Sequence, residues 1–161
     1  MPRFLRVVSS GAVPLLHGGR ALQDLTYVSN AADAIHLAPT RPLPTPRCTY
    51  NVSNGTPLPF SDLLEMVAAA LTLPLRTRHV PWLLAKTLAT LAEGTARLAR
   101  GPEPLLTRYG TGVLGCSQTL DISAISSELG YLPKTSIVEG LHLHAEWWRA
   151  SRSAPASGNS P

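Results

Sequence analysis

The chain has 161 residues, 44% of them hydrophobic and 15% charged, which excludes a wholly disordered chain and leaves room for one domain with a real core. The net charge is +4, but the 12 arginines and two lysines form no basic run and aromatics are only 6%, so no nucleic-acid partner is expected. Cys48 and Cys116 stand outside any C-x-x-C, which fits a reduced, cytoplasmic chain, and the five histidines lack the i, i+4 spacing of a helical metal pair, so no metal is expected.

In chain order, Phe4 to Ser10 is apolar with an arginine inside it, and reads as helix or strand. Gly11 to Gly19 is loop-rich. Leu25-Thr-Tyr-Val28 is a short strand signal, and Asn30 reads as the N-cap of a helix over Ala31 to Leu37. Four prolines between Pro39 and Pro46 mark a connector. Thr49 to Ser53 reads as a strand stopped by Asn54-Gly55. Ser61 then caps a helix to about Leu71, with Leu63, Val67 and Leu71 on one face. Leu75 to His79 is an edge-strand candidate.

Pro81 opens a long helix. One stripe of it is Leu84, Leu88, Leu91, Thr95 and Leu98, and core packing is the commonest fate of such a face. A partner or a membrane surface touched by Trp82 and the following helix are the alternatives. Lys86, Glu93, Arg97 and Arg100 form a second stripe, in which Glu93 and Arg97 make an i, i+4 ion pair.

Gly110-Thr-Gly-Val-Leu-Gly115 matches G-x-G-x-x-G. That fingerprint needs a buried strand before it and a helix after it. Glu103 to Tyr109 carries two charges and a proline, and Cys116 to Asp121 starts no amphipathic helix, so the stretch is expected to be a flexible surface turn. Further on, Asp121 caps a short helix ending at Gly130. Ser136-Ile-Val-Glu139 is a capping box that opens the last helix, with Ile137, Leu141 and Trp148 on one face. Residues 150–161 are small and polar and read as a disordered tail.

Four segments stand in a familiar order: Leu25-Thr-Tyr-Val-Ser-Asn-Ala-Ala-Asp-Ala-Ile35; Tyr50-Asn-Val-Ser-Asn-Gly55 with the helix after Ser61; Arg78-His-Val-Pro81 opening the long helix; and Leu120 to Pro133 followed by Ser136-Ile-Val-Glu-Gly-Leu141. Together they resemble the C-terminal half of an extended short-chain dehydrogenase/reductase, of the NAD-dependent epimerase/dehydratase superfamily. The style is nearest the 3β-hydroxysteroid dehydrogenase-like branch. Ser29, Ala31 and Thr72 depart from the family's usual residues, Thr72 replacing a common glycine. The resemblance implies an α/β chain, mixed α+β as a fragment, with residues 1–149 forming the C-terminal portion of a Rossmann-type fold that lacks its N-terminal nucleotide-binding part. It implies an oxidoreductase or epimerase acting on a sterol-like or sugar-like alcohol.

In such proteins the cofactor glycines lie near the start, so the resemblance makes GTGVLG a coincidence of spacing. A Tyr-x-x-x-Lys pair does the chemistry there, the lysine favouring the phenolate. Here Trp82 precedes Lys86 by four and Gly130 precedes Lys134 by four, so the pair is absent from this stretch. The expectation is a substrate-binding part that is not catalytic alone, binds no NAD(P) by itself, and pairs with a Rossmann half or with another copy. A non-catalytic binding module using the Leu84–Leu98 face is the alternative. Tyr27 and Asn30 match the phrase near substrate and cofactor; Arg20 matches the loop bordering the substrate pocket, and Asn51 its rim. A core tyrosine, an N-cap asparagine and a solvated arginine remain the plain alternatives, and Asp33 reads as a helix-face residue.

Overall fold

A computed structural model describes residues 13–40, 49–98 and 107–153. The expectations for Phe4 to Ser10, the connector beyond Thr40, Cys48, Arg100 and residues 154–161 lie outside them.

Strand β1, Val13–Leu16, runs parallel to β4, Thr77–Val80, with Val13 opposite Thr77 and Leu16 opposite Val80. The Val13 N–H donates to the Arg76 carbonyl at 2.8 Å, so strand alternation turns the Pro14 nitrogen away from β4 and its missing N–H costs the ladder nothing. Loop-type composition therefore conceals a strand here, whose Val13, Leu15 and Leu16 are buried. Positive φ at His17, Gly18 and Gly19 (49°, 69° and 74°) then folds the chain back. It enters β2, Leu22–Gln23, which pairs antiparallel with β3, Leu58–Pro59, and Gln23 also bridges Gln118.

The helices among the described residues are α1 Val28–Thr40, α2 Phe60–Leu71, α3 Trp82–Leu98, α4 Arg108–Gly115, α5 Ser123–Leu129 and α6 Ile137–Ser153. The main core is Val13, Leu15, Phe60, Leu63, Leu64 and Val67, closed by Leu141 and Trp148 of α6. The expected face of α2 and the Ile137, Leu141, Trp148 face of α6 thus meet each other. A second core gathers Ala34, Ile125, Leu129 and Tyr131, with Tyr50 and Val52 packed on it.

Several expected boundaries move, each for a local reason. Leu25 to Val28 is not a strand; its ties are side-chain and single backbone bonds, and α1 already begins at Val28. Thr49 to Ser53 forms no strand and bends at Ser53. It is held instead by Thr26 Oγ1 donating to Val52 O (3.1 Å) and the Tyr131 hydroxyl donating to Ser53 O (3.0 Å). Helix α2 starts at Phe60 because the Phe60 N–H is taken by Ala21 O at 2.9 Å; Ser61 lies inside the first turn, its hydroxyl on Asp62. Helix α1 runs past Leu37 to Thr40, the Thr40 hydroxyl donating to the Leu37 carbonyl at 2.9 Å. Helix α6 continues to Ser153, beyond the start of the expected tail at 150.

The GTGVLG stretch is the largest correction, because it forms most of α4 rather than a flexible turn. Thr107 Oγ1 accepts the Gly110 N–H at 3.0 Å, and Glu93 Oε1 of α3 accepts the Arg108 N–H at 2.7 Å, so two orphan donors of the first turn are satisfied. The last glycine has a packing reason as well: a Cβ on Gly115 would overlap the Trp82 ring. The expected core stripe of α3 is corrected too, because the body accepts this helix through small alanines. Ala85 and Ala89 are its buried residues, whereas Leu83 is 74% exposed, Leu84 50%, Leu88 51% and Leu91 66%. Among the described residues no helix is long and apolar enough to cross a membrane.

Two of the other expected helix ends hold, and a third shifts by one residue, since the cap position of α5 is Ile122 rather than Asp121. Ser136 Oγ accepts the Glu139 N–H at 3.1 Å, the first arm of the capping box. Gly130 ends α5 in the left-handed conformation, φ 71°. Asp121 Oδ1 accepts the Ser123 N–H at 2.9 Å ahead of α5, which holds its carboxyl below the usual range.

Candidate functional site

Two side chains, Asn30 and Asn54, and the backbone of residues 134–135 meet at the start of α1. Asn30 is buried in the first turn of α1 and does not cap it. Its Nδ2 donates to Asn54 Oδ1 at 3.0 Å and to Thr135 O at 2.8 Å. Its Oδ1 accepts the N–H groups of Lys134 and Thr135, both at 3.0 Å. An amide has two donors and two acceptor positions, so Asn30 is fully used inside the protein. Asn54 is buried beside it; its Oδ1 also accepts the Tyr27 N–H at 3.0 Å, and its Nδ2 donates to Thr135 O at 2.7 Å. This knot joins the start of α1, the 53–55 turn and the entrance of α6, and it fixes the backbone of Tyr27.

Tyr27 projects from the knot onto α6. A Cβ on Gly140 would lie 2.6 Å from Tyr27 Cδ2, so the ring rests where only a glycine allows it. Between these elements is a groove of about 290 Å³ lined by Leu25, Thr26, Tyr27, Val28, Ile137, Gly140, Leu141 and His144. Its walls are aliphatic, its polar groups are a threonine, a tyrosine and a histidine, and no lysine or arginine lines it. His144 leans on Trp147, ring centroids 5.6 Å apart. The geometry can hold a hydrocarbon surface and offer one or two hydrogen bonds to an oxygen.

The other expected residues are not in this groove. Arg20 is exposed at the end of the turn after β1. Asn51 is exposed, and its Nδ2 donates to Asp121 O at 3.2 Å, which ties the 49–53 segment to the entrance of α5. Asp33 pairs with Lys134 at 2.8 Å on the rim of a separate groove of about 380 Å³ near Tyr131. Tyr27 and Asn30 are therefore the two residues brought together, through Asn54.

Sequence reasoning missed Asn54, Gly140 and Asp24. Asp24 Oδ2 accepts the Ser53 hydroxyl (2.9 Å) and the Leu120 N–H (3.1 Å), linking two chain segments behind the groove. Gly140 did carry a signal, since a glycine inside a helix costs about 1 kcal/mol and so asks for a packing reason. Asn54 reads naturally as a turn residue before Gly55, and nothing local announces its long-range bonds.

The GTGVLG stretch does not form a phosphate-binding turn. The one glycine-rich fingerprint is the body of α4, its N–H groups turned into the helix and to Thr107, with Trp82 over Gly115. Among the described residues no group of three or more His, Cys, Asp or Glu is placed to hold a metal ion.

No family model matches the chain. Curated relatives do. It is 35% identical over 159 residues to the Escherichia coli protein YbjS, covering 96% of this chain and 47% of that one. It is 35% identical over 146 residues to the 2-alkyl-3-oxoalkanoate reductase of Shewanella oneidensis, covering 88% of this chain and 38% of that one. Among solved structures, the UDP-glucose 4-epimerase of Thermotoga maritima superposes with a TM-score of 0.60 at 17% identity, covering 94% of this chain and 39% of the epimerase. The dTDP-glucose 4,6-dehydratase DesIV of Streptomyces venezuelae, solved with NAD bound, gives 0.57 at 21%, covering 93% and 38%. The chain has the fold of the NAD-dependent epimerase/dehydratase superfamily, the extended short-chain dehydrogenases/reductases. It spans less than half the length of the curated relatives it matches. Its helices and its parallel β1–β4 pair make the mixed α/β class expected from sequence.

Proposed function

We propose that the chain is the C-terminal, substrate-binding portion of an NAD(P)-dependent oxidoreductase, and that the groove beside Tyr27 receives the hydrocarbon part of an alcohol or ketone substrate. The observation that carries this reading is the lining: Leu25, Val28, Ile137 and Leu141 form the walls, and Tyr27 and His144 supply the polar tips. A sugar nucleotide brings a diphosphate, which is ordinarily met by arginine, lysine or a helix N-terminus; an alkyl-bearing keto acid brings what this groove can bury. The relatives named 2-alkyl-3-oxoalkanoate reductase, in Shewanella oneidensis and at 31% identity in Stenotrophomonas maltophilia, support the same direction.

NAD(P), when bound to a part that carries its phosphate turn, would supply the hydride. The residues of this stretch would bind and orient the substrate, with Asn30 and Asn54 acting as positioning residues that hold Tyr27. Neither Lys86 nor Lys134 has a tyrosine four residues before it, so the proton-transfer pair is not in this stretch.

The test is calorimetric titration of the full chain with a 2-alkyl-3-oxoalkanoate and, separately, with UDP-glucose, both without dinucleotide. The keto acid is expected to bind, and Val28→Asp to weaken it at least about tenfold by placing a charge on the apolar wall. Binding of UDP-glucose but not of the keto acid would overturn the reading.

A further inference from the structure

The knot at the start of α1 encloses the chain's single Asn-Gly pair. Of the four asparagines, at 30, 51, 54 and 159, only Asn54 is followed by glycine. The backbone nitrogen of the residue after an asparagine can attack the side-chain amide. Solvent base takes the proton of that nitrogen, the N–Cγ bond forms, and the side-chain nitrogen leaves as ammonia. Water then opens the cyclic imide to aspartate, or to isoaspartate, in which the backbone runs through the side chain. Glycine in the second position favours the attack, because no Cβ crowds the nitrogen and the backbone turns freely.

The fold spends every group this reaction needs. The Gly55 N–H donates to Ser53 Oγ at 3.0 Å. Asn54 is 7% exposed, its Nδ2 donates to Thr135 O at 2.7 Å, and its Oδ1 accepts from the Tyr27 N–H and Asn30 Nδ2, both at 3.0 Å. Its own N–H donates to Leu25 O at 2.9 Å. Swinging the amide onto the Gly55 nitrogen would break these bonds together and strand buried donors and acceptors. Gly55 itself is exposed, so water and base reach it. The restraint is the bonding of the amide, not distance from solvent.

The product cannot rebuild the knot. A carboxylate at position 54 has no proton for Thr135 O and would set an oxygen against that carbonyl where Nδ2 now stands. An isoaspartate would add a methylene to the backbone of a crowded turn, where Gly55 has φ 66° and a Cβ on it would lie 2.7 Å from Ile122 Cδ1.

We propose that Asn54-Gly55 is a latent self-modification site guarded by the Asn30–Asn54 knot: molecules whose knot opens deamidate there and cannot return to the native arrangement. The partners of Asn54 named above all lie within this chain, so the inference rests neither on the substrate reading nor on what covers the outer faces.

The experiment is peptide mass mapping of the full chain after incubation in mildly alkaline buffer, with and without urea, isoaspartate being scored by enzymatic methyl transfer. Deamidation at position 54 is expected to run at least about tenfold faster in urea than in buffer, since only the open population reacts. Gly55→Ala should stay slow even in urea. Asn30→Ala should deamidate at least about tenfold faster than the wild type in plain buffer, because it opens the knot; should that variant not fold, the wild-type comparison still decides. Asn54→Asp should show a lowered urea midpoint. Equal rates at position 54 in buffer and in urea, an intact Asn54 after urea, or an Asn54→Asp chain as stable as the wild type would each overturn the proposal.

Discussion

Asn30 and Leu91 each sit on a helix and each contradict the usual rule for their residue type. The asparagine is buried and meets its full set of hydrogen bonds; the leucine is two-thirds exposed and touches little. The Asn30 region joins three distant segments through polar groups that cannot be removed singly without orphaning others. The α3–α4 region hangs on other ties: the β1–β4 pair, Glu93 on Arg108, the buried Gln23 amide of β2 donating to Val113 O (2.8 Å), and the Trp82 ring between His17 (centroids 5.4 Å apart) and Gly115. The body is thus tied by a network of buried hydrogen bonds, whereas α3 leans on the small side chains of Ala85 and Ala89 and on one aromatic ring. Substitutions in the two regions should differ accordingly.

The largest effect is expected at the knot. Asn30→Ala removes both acceptor and donor functions and strands the N–H groups of Lys134 and Thr135. A loss of roughly 3 kcal/mol is expected, read as a lowered urea midpoint with unchanged slope. Gly115→Ala comes next, at about 2 kcal/mol, because the new methyl must displace the Trp82 ring. If α3 and α4 form a separable unit, this variant should speed amide exchange in residues 82–115 while leaving the Asn30 region protected. Uniform loosening of both regions would break the comparison.

Two helix ends sharpen it further. Helices α2 and α5 both stop on a residue with positive φ, Thr72 at 55° and Gly130 at 71°. In α2 the Thr72 N–H donates to Ala69 O (3.2 Å) and the Leu73 N–H to Ala68 O (2.9 Å), so the stop is well bonded but made by a β-branched residue. Thr72→Gly should stabilise the chain by about 1 kcal/mol, seen as a higher melting temperature.

The buried Tyr131 makes the second core sensitive to alkali. Burial, and then the nearby Asp33 carboxylate, raise its pKa above the ordinary value near 10. The neutral phenol is the form the fold prefers. Its contribution to stability is therefore complete below about pH 10, the unfolded value, and is lost as pH rises through the folded value. Tyr131→Phe should flatten the alkaline limb of the stability curve, although it also strands Ser53 O and lowers stability at neutral pH.

Legibility followed the same division. Patterns local in sequence were readable: the capping box at Ser136, the Gly130 stop, the α2 and α6 core faces. Features made by long-range contact were not. The partners of Asn30 at 54, 134 and 135 cannot be seen from an N-cap signal, and β1 is hidden by proline and glycine until β4 pairs with it. The GTGVLG helix needed Glu93 and Trp82, which lie outside its window. The orientation of α3 was misjudged because the leucine stripe outweighed the alanine stripe in hydrophobicity, while tertiary packing chose the smaller residues. Tyr27 and Asn30 were found as neighbours, but Arg20 and Asn51 proved to lie apart from them, since their pairing rested on family likeness and on no local geometry.

The smallest expected effect is the most pointed contrast with Asn30. Leu91→Ser would be severe in a core, where losing a leucine costs about 2–5 kcal/mol. On the outward arc of α3 the side chain is 66% exposed, so little burial is lost in water. Serine is a slightly poorer helix former than leucine, and its hydroxyl can bond back to the Thr87 carbonyl one turn earlier, as Thr87 does to Leu83. The change should stay within about 0.5 kcal/mol by urea titration at low protein concentration. A loss several times larger would mean that the leucine is covered even in solution. The α3 face would then belong to an interface between copies, and the contrast between a buried polar knot and an open apolar helix would have to be withdrawn.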